Sequence, residues 1–118
     1  MRLNRTLLFV KDLPRMTAFY ASVLGLKPIE QAENWVEFDA GGIRFALHAI
    51  PAEIAGRIEI ASPPRPRETN PIKLSFAVDD WQAERRRLES LGVVILERPW
   101  GVCDALDPEG NVFGMDAG

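Results

Sequence analysis

The chain has 118 residues, 47% of them apolar and 26% charged, which is the balance of one globular domain and not of a fibre or a disordered tail. Fourteen basic residues against seventeen acidic ones give a net charge of −3, and no long run of one sign occurs, so a nucleic-acid binder is not expected. No apolar stretch approaches the roughly 20 residues of a membrane span, the opening Met1-Arg2-Leu3-Asn4-Arg5 does not read as a signal peptide, and a single Cys103 excludes an internal disulfide, so a cytoplasmic location and no membrane partner are the expectation.

Leu7 to Val10 is a short apolar run of strand formers. Asp12 follows as a helix N-cap, with Pro14 in the first turn, where its missing N–H is harmless. Met16, Phe19, Tyr20, Val23 and Leu24 recur at helical spacing, and Gly25 stops the helix. Strands are expected over 26–31, 35–40 and 43–50, with Gly41-Gly42 turning the second into the third. Pro51 to Pro71 holds five prolines. It reads as a connector with one helical turn near 51–55 and a strand fragment at 58–60, and it either wraps the other half or edges a pocket. Beyond it come a strand over 72–78, the cap Asp80, a helix over 81–91, the stop Gly92, and strands near 93–97, 100–106 and 112–116. Asp107-Pro108-Glu109-Gly110-Asn111 supplies the turn before the last strand.

This order repeats. Arg5-Thr6-Leu7-Leu8-Phe9-Val10-Lys11-Asp12 matches Lys73-Leu74-Ser75-Phe76-Ala77-Val78-Asp79-Asp80 at an offset of 68. Leu24-Gly25 matches Leu91-Gly92 at 67, so the second helix or its ends are one residue shorter. Two copies are too few for a solenoid and imply two matched halves: a first module over 1–50, the connector over 51–70, and a second module over 71–118 of a single domain.

Two βαβββ modules in this length resemble the vicinal oxygen chelate superfamily of glyoxalases, bleomycin-resistance proteins and extradiol dioxygenases. Phe9-Val10-Lys11-Asp12-Leu13-Pro14-Arg15-Met16-Thr17-Ala18-Phe19-Tyr20 with Leu24-Gly25-Leu26 is similar to that family's first strand and helix. Asp107 to Asn111 is similar to its turn before the final strand. The resemblance implies an α+β fold in which the modules form a pseudo-twofold pair of half-barrels around a cavity. It does not imply one chemistry, because the scaffold hosts many. Metal-using members place a His on the first strand of each module and a Glu, Gln or His on the fourth. Carried over by motif, those positions hold Arg5, Lys73, Gly114 and Ala46, with His48 selected instead if the register shifts by two. Arg and Lys carry no free lone pair at neutral pH, and Gly and Ala offer no ligand atom. The expectation is therefore no metal site and no cofactor.

Strand alternation places Arg5, Leu7 and Phe9 on one face, Arg44, Ala46 and His48 on another, Lys73 with Ser75, and Gly114 with Asp116. Trp35, Glu37 and Asp39 share a face whose direction the sequence leaves open. Candidate ligand-binding residues are Arg5, Lys73, His48, Trp35, Trp100 and Asp116, and His48 is the candidate catalytic base. Two readings stand for the Arg5/Lys73 pair: an anion site, or internal neutralisation by Asp116, Asp104 or Glu37. Trp35 and Trp100 either line a pocket for a flat ligand or pack as rim. Cys103 beside Asp104 reads as an inert strand thiol.

Three functions follow as expectations. The first is a metal-independent protein that binds a small anionic or aromatic molecule, as the bleomycin-resistance branch does. The second is a glyoxalase-like lyase or isomerase with His48 as base. The third is a non-catalytic homodimer with a collapsed pocket; a homodimer is expected in any case, by analogy with the fold and the prevalence of twofold pairs.

Overall fold

The computed structural model describes residues 1–99 and 103–118, which form two compact units, Met1–Glu59 and Ile60–Gly118. The first unit holds strand β1 (Thr6–Val10), helix α1 (Leu13–Ala18), strands β2 (Lys27–Ala32), β3 (Trp35–Asp39) and β4 (Arg44–Ala49), and the short helix α2 (Ala52–Ala55). The second holds β5 (Leu74–Ala77), α3 (Trp81–Ser90), β6 (Ile95–Leu96), β7 (Cys103–Leu106) and β8 (Val112–Asp116). Each unit is thus a βαβββ module, and the fold is α+β.

The two mixed sheets have the same order, β1-β4-β3-β2 and β5-β8-β7-β6. In each, the first strand lies parallel to the fourth and the other pairings are antiparallel. The register repeats as well: Leu7 lies opposite Ala46, and Ser75 lies opposite Gly114, each residue 68 positions on.

Both helices begin as the sequence dictates. Asp12 accepts a hydrogen bond from the Arg15 amide at 3.1 Å, and Asp80 accepts one from the Ala83 amide at 3.0 Å. They end at Gly25 and Gly92, both at positive φ. Between these signals the first helix is one residue longer, and the structure shows where that residue goes. After Ala18 the chain widens into a π-helical turn, Phe19–Val23, in which the Leu24 amide reaches back to the Phe19 carbonyl at 3.1 Å. A π turn is how a helix absorbs an inserted residue; α3 has none, which accounts for the offset falling from 68 to 67.

Alternation then sorts the strands into two faces. In the first unit Val36, Phe38, Phe45 and Leu47 are buried together with Val10, Met16 and Tyr20, and the Tyr20 ring meets Phe45 edge-on at 5.0 Å. In the second unit Leu88, Cys103, Ala105, Phe113 and Met115 play that part. Each such Leu or Phe contributes roughly 1.5–3 kcal/mol by leaving water. The opposite sheet faces carry the charged residues.

The connector departs from expectation in one respect. The helical turn forms at α2, but Ile58–Ile60 is not a strand. The Ile58 amide is drawn into the turn that closes α2, bonding to Ala55 O at 3.0 Å just after Arg57 N–H bonds to Ile54 O at 3.0 Å, while the Ile58 carbonyl accepts from the Lys11 ammonium. A backbone so occupied has no ladder to join.

Residues 65–70 fold onto the turn before β8. The Arg67 amide donates to the Gly110 carbonyl at 2.9 Å, and Asn70 Nδ2 donates to Asn111 Oδ1 at 3.3 Å. Within that turn the buried Asp107 carboxylate accepts from the amides of Glu109 and Asn111 at 2.9 and 3.0 Å, and from Asn111 Nδ2 at 2.8 Å. This is an Asx turn with both carboxylate oxygens engaged.

Candidate functional site

The face left open by the sequence is settled by register. Glu37 pairs with Ala46, and Trp35 pairs with His48, while Ala46 and His48 pair with Leu7 and Phe9 on β1. Cross-strand partners point the same way, so Trp35 and Glu37 share the face of Ala46 and His48.

At one end of that face Glu37, only 2% exposed, forms an ion pair with Arg5, and Arg44 Nη1 stands 3.4 Å from its other oxygen. The Arg5 guanidinium also lies 5.3 Å from the Trp35 ring centroid, a cation–π contact. At the other end His48 is bracketed by Phe9 and Trp35, each with its ring centroid 5.6 Å away. Ring contacts are its only side-chain interactions among the described residues, so no carboxylate fixes which nitrogen carries the proton.

The second unit repeats the charge arrangement. Lys73 stands just before β5 as Arg5 stands before β1, and Asp104 on β7 corresponds to Glu37 on β3. Asp104 is 2% exposed and sits between two cations. Arg98 Nε donates to Oδ2 at 3.0 Å, and Lys73 Nζ lies 2.8 Å from Oδ1. The lysine contact is an ion pair off the hydrogen-bond direction, so the buried Oδ1 accepts no hydrogen bond among the described residues. Arg98 also pairs with Glu68 at 2.9 Å. Its hydrogen bonds to Glu68 and then Asp104 raise the guanidinium's already high pKa, which makes it a permanent counter-ion to both carboxylates.

These groups line a cleft of about 320 Å3 within the second unit. Arg67, Lys73 and Arg98 supply positive charge and Glu68 and Asp104 negative; Asn70, Ile72 and Val112 complete the wall. Arg67, Glu68 and Asn70 of the connector therefore edge this cleft.

Gly114 lies beneath the ion pair. A Cβ there would stand 3.1 Å from both Asp104 Oδ1 and Lys73 Cε, so the absence of a side chain at 114 is what leaves room for Lys73 to reach Asp104.

The remaining candidates fall elsewhere. Asp116 does not reach Lys73; it accepts from Ser75 Oγ at 3.1 Å and from the Gly118 amide at 2.8 Å. Trp100 lies outside the described residues. Cys103 is buried on the opposite face of β7, and burial, more than its neighbours' charges, pushes its thiol pKa up, which fits an inert thiol. Sequence reasoning missed Arg67, Glu68, Asn70, Ile72 and Arg98. Most lie in irregular segments that alternation cannot aim; the available signal was an Arg-Glu pair set among prolines.

The profile of the Glyoxalase/Bleomycin resistance protein/Dioxygenase superfamily matches residues 2–115, and the chain belongs to that superfamily. Among solved structures it is similar to a protein of unknown function from Agrobacterium tumefaciens, with 27% identity, 98% of this chain and 92% of that chain covered, and a TM-score of 0.71. It is also similar to a lactoylglutathione lyase from Agrobacterium tumefaciens, at 24% identity over 98% and 94% of the two chains with a TM-score of 0.69. A third is a fosfomycin resistance protein, FosX, from Listeria monocytogenes complexed with Mn(II), at 20% identity over 99% and 92% with a TM-score of 0.71. At 24% and 20% identity the last two speak for the fold alone.

Proposed function

We propose that this chain is a metal-independent member of its superfamily that binds a small anion in the cleft of its second unit. One observation carries the reading: the cleft has one more cation than it has carboxylates, and the extra charge is available. Arg98 serves both Glu68 and Asp104. Lys73 is 44% exposed and not hydrogen-bonded to Asp104. The Arg67 guanidinium has no ion-pair partner among the described residues. A guanidinium without an ion-pair partner among the described residues and a partly exposed ammonium, both lining one cleft, are the elements of an anion site.

The donor set supports the metal-free half of the reading. The four positions at which metal-using relatives hold an ion carry Arg5, Ala46 (or His48 with a register shift of two), Lys73 and Gly114, so at most one of them offers a ligand atom. The two buried carboxylates nearest them, Glu37 and Asp104, each already face two cations. A divalent ion entering either cluster would meet positive side chains and one carboxylate, where three or four donors are needed. Among the described residues no group of three or more His, Cys, Asp or Glu side chains could hold a metal.

The test is a thermal-shift titration of the whole chain with phosphate, sulfate and carboxylate salts at constant ionic strength, paired with elemental analysis after dialysis. A ligand at a hundred times its Kd stabilises by about 2.7 kcal/mol, a shift of several degrees for a domain of this size. The expected result is saturable stabilisation by an anion, lost in Arg67→Gln, in protein without stoichiometric metal. A stoichiometric transition metal, or no response to any anion, defeats the proposal.

A further inference from the structure

We infer that the anion this cleft takes is an aliphatic monocarboxylate, held through its acid group by Arg67 and Lys73 with its body laid on Ile72 and Val112; this rests on the proposed anion site and narrows it to a ligand class. Three observations lead there. The first is charge. Three cations and two carboxylates line the cleft, so one positive charge is unmatched, and a monoanion completes the balance. A phosphate dianion would leave an excess negative charge beside the exposed Glu68 and the buried Asp104.

The second is the form of the donors. A guanidinium presents two parallel N–H groups to a planar carboxylate, and an ammonium adds a point charge beside it. Lys73 can turn to a ligand without stranding Asp104, because Arg98 stays bonded to Oδ2. Lys73 exchanges its 2.8 Å ion pair with Asp104 Oδ1 for one with the ligand's carboxylate.

The third is apolar surface in a charged site. Ile72 is 73% exposed yet forms part of the cleft wall, and Val112 lies on the same wall. A bare inorganic anion would leave both in water. An alkyl chain covers them, each buried methylene strengthening binding severalfold. The cleft of about 320 Å3 is at the lower end of small-molecule sites, which suits a short acid and not a large amphiphile.

Isothermal titration of the whole chain with four probes tests this: 3-methylbutanoate, acetate, 3-methylbutanamide and inorganic phosphate. The expected order places 3-methylbutanoate on the order of tenfold tighter than acetate, with the amide silent and phosphate weaker than either acid. Arg67→Gln should weaken the acids by on the order of tenfold, and Ile72→Ser should bring 3-methylbutanoate down to the affinity of acetate. Both side chains lie on the cleft wall, so urea midpoints near wild type will show that the variants fold. Phosphate binding tighter than the acids, or an undiminished preference for 3-methylbutanoate in Ile72→Ser, overturns the ligand class while the anion site stands. Silence with all four probes overturns both.

Discussion

Gly110 and Gly92 offer a matched experiment on the segment that walls the cleft. Both glycines belong to the second unit, and their φ angles are +82° and +81°. An alanine at either position pays the same left-handed penalty of about 1–2 kcal/mol, and the loss of unfolded-chain entropy cancels between them. Their surroundings differ. A Cβ at Gly92 meets nothing within 4 Å, whereas one at Gly110 would lie 2.3 Å from the Arg65 carbonyl oxygen and 3.3 Å from Arg67 Cγ. The carbonyl is backbone and cannot rotate aside, so residues 65–67 must lift. Lifting them breaks the Arg67 N–H to Gly110 O bond, worth about 1 kcal/mol, and strains the packing around it. Gly110→Ala should therefore cost about 3 kcal/mol and Gly92→Ala about 1 kcal/mol. At an m value of about 1–2 kcal/mol/M in urea, the midpoints separate by roughly 1–2 M. Gly110→Ala should also lose anion binding, because Arg67 moves with the lifted segment. Equal midpoints for the two variants would refute the claim that the connector is packed onto the turn.

Three further outcomes follow from the same geometry. Asp107→Ala removes the acceptor of three hydrogen bonds in a buried turn and should cost about 3 kcal/mol in urea unfolding, at about 1 kcal/mol for each bond. Glu37→Gln leaves Arg5 and Arg44 without a carboxylate; both can still reach water, so the loss should be about 1–2 kcal/mol, short of the 3–5 kcal/mol of a wholly buried pair, and a double-mutant cycle with Arg5→Gln should show strong coupling. Cys103 has a thiol whose folded pKa is raised by burial. Its contribution to stability is complete below the unfolded thiol pKa of about 8.5 and falls as pH climbs above that value, since the unfolded chain then ionises first. Cys103→Ala should abolish that part of the alkaline slope.

Much of the fold could be read locally. Asp12 and Asp80 as caps, Gly25 and Gly92 as stops, and the period-two strands are signals within a few residues of the structure they specify. What failed, or stayed open, depended on distant partners. Ile58–Ile60 has strand-forming composition, but the N–H and C=O of Ile58 are claimed by α2 and Lys11. The face of β3 could not be assigned until Glu37 was set opposite Ala46. For Lys73 the sequence offered Asp116 and Asp104 alike. The structure selects Asp104, because β7 and β8 pair Asp104 with Gly114, where a Cβ would crowd both the lysine and the carboxylate. Arg67 and Arg98 could not be placed at all, since neither lies on a periodic element.

The duplication gives a physical reason for assigning the proposed anion site to the second unit and not to the first. Both bury a carboxylate beside two cations, and a buried carboxylate requires such company. The difference lies in which cation precedes the first strand. In the first unit it is Arg5, whose planar head is hydrogen-bonded to Glu37 and lies against Trp35; leaving would forfeit both contacts. In the second it is Lys73, a single charged point on a flexible stem, near Asp104 but not hydrogen-bonded to it. Arginine at this position fixes the cluster, while lysine leaves a positive charge that can be redirected. Exchanging the two should therefore move function along with the residue. Lys73→Arg, with its fork on Asp104, should bind anions more weakly although the net charge is unchanged, and equal binding by that variant would show that charge alone, and not its freedom, makes the site.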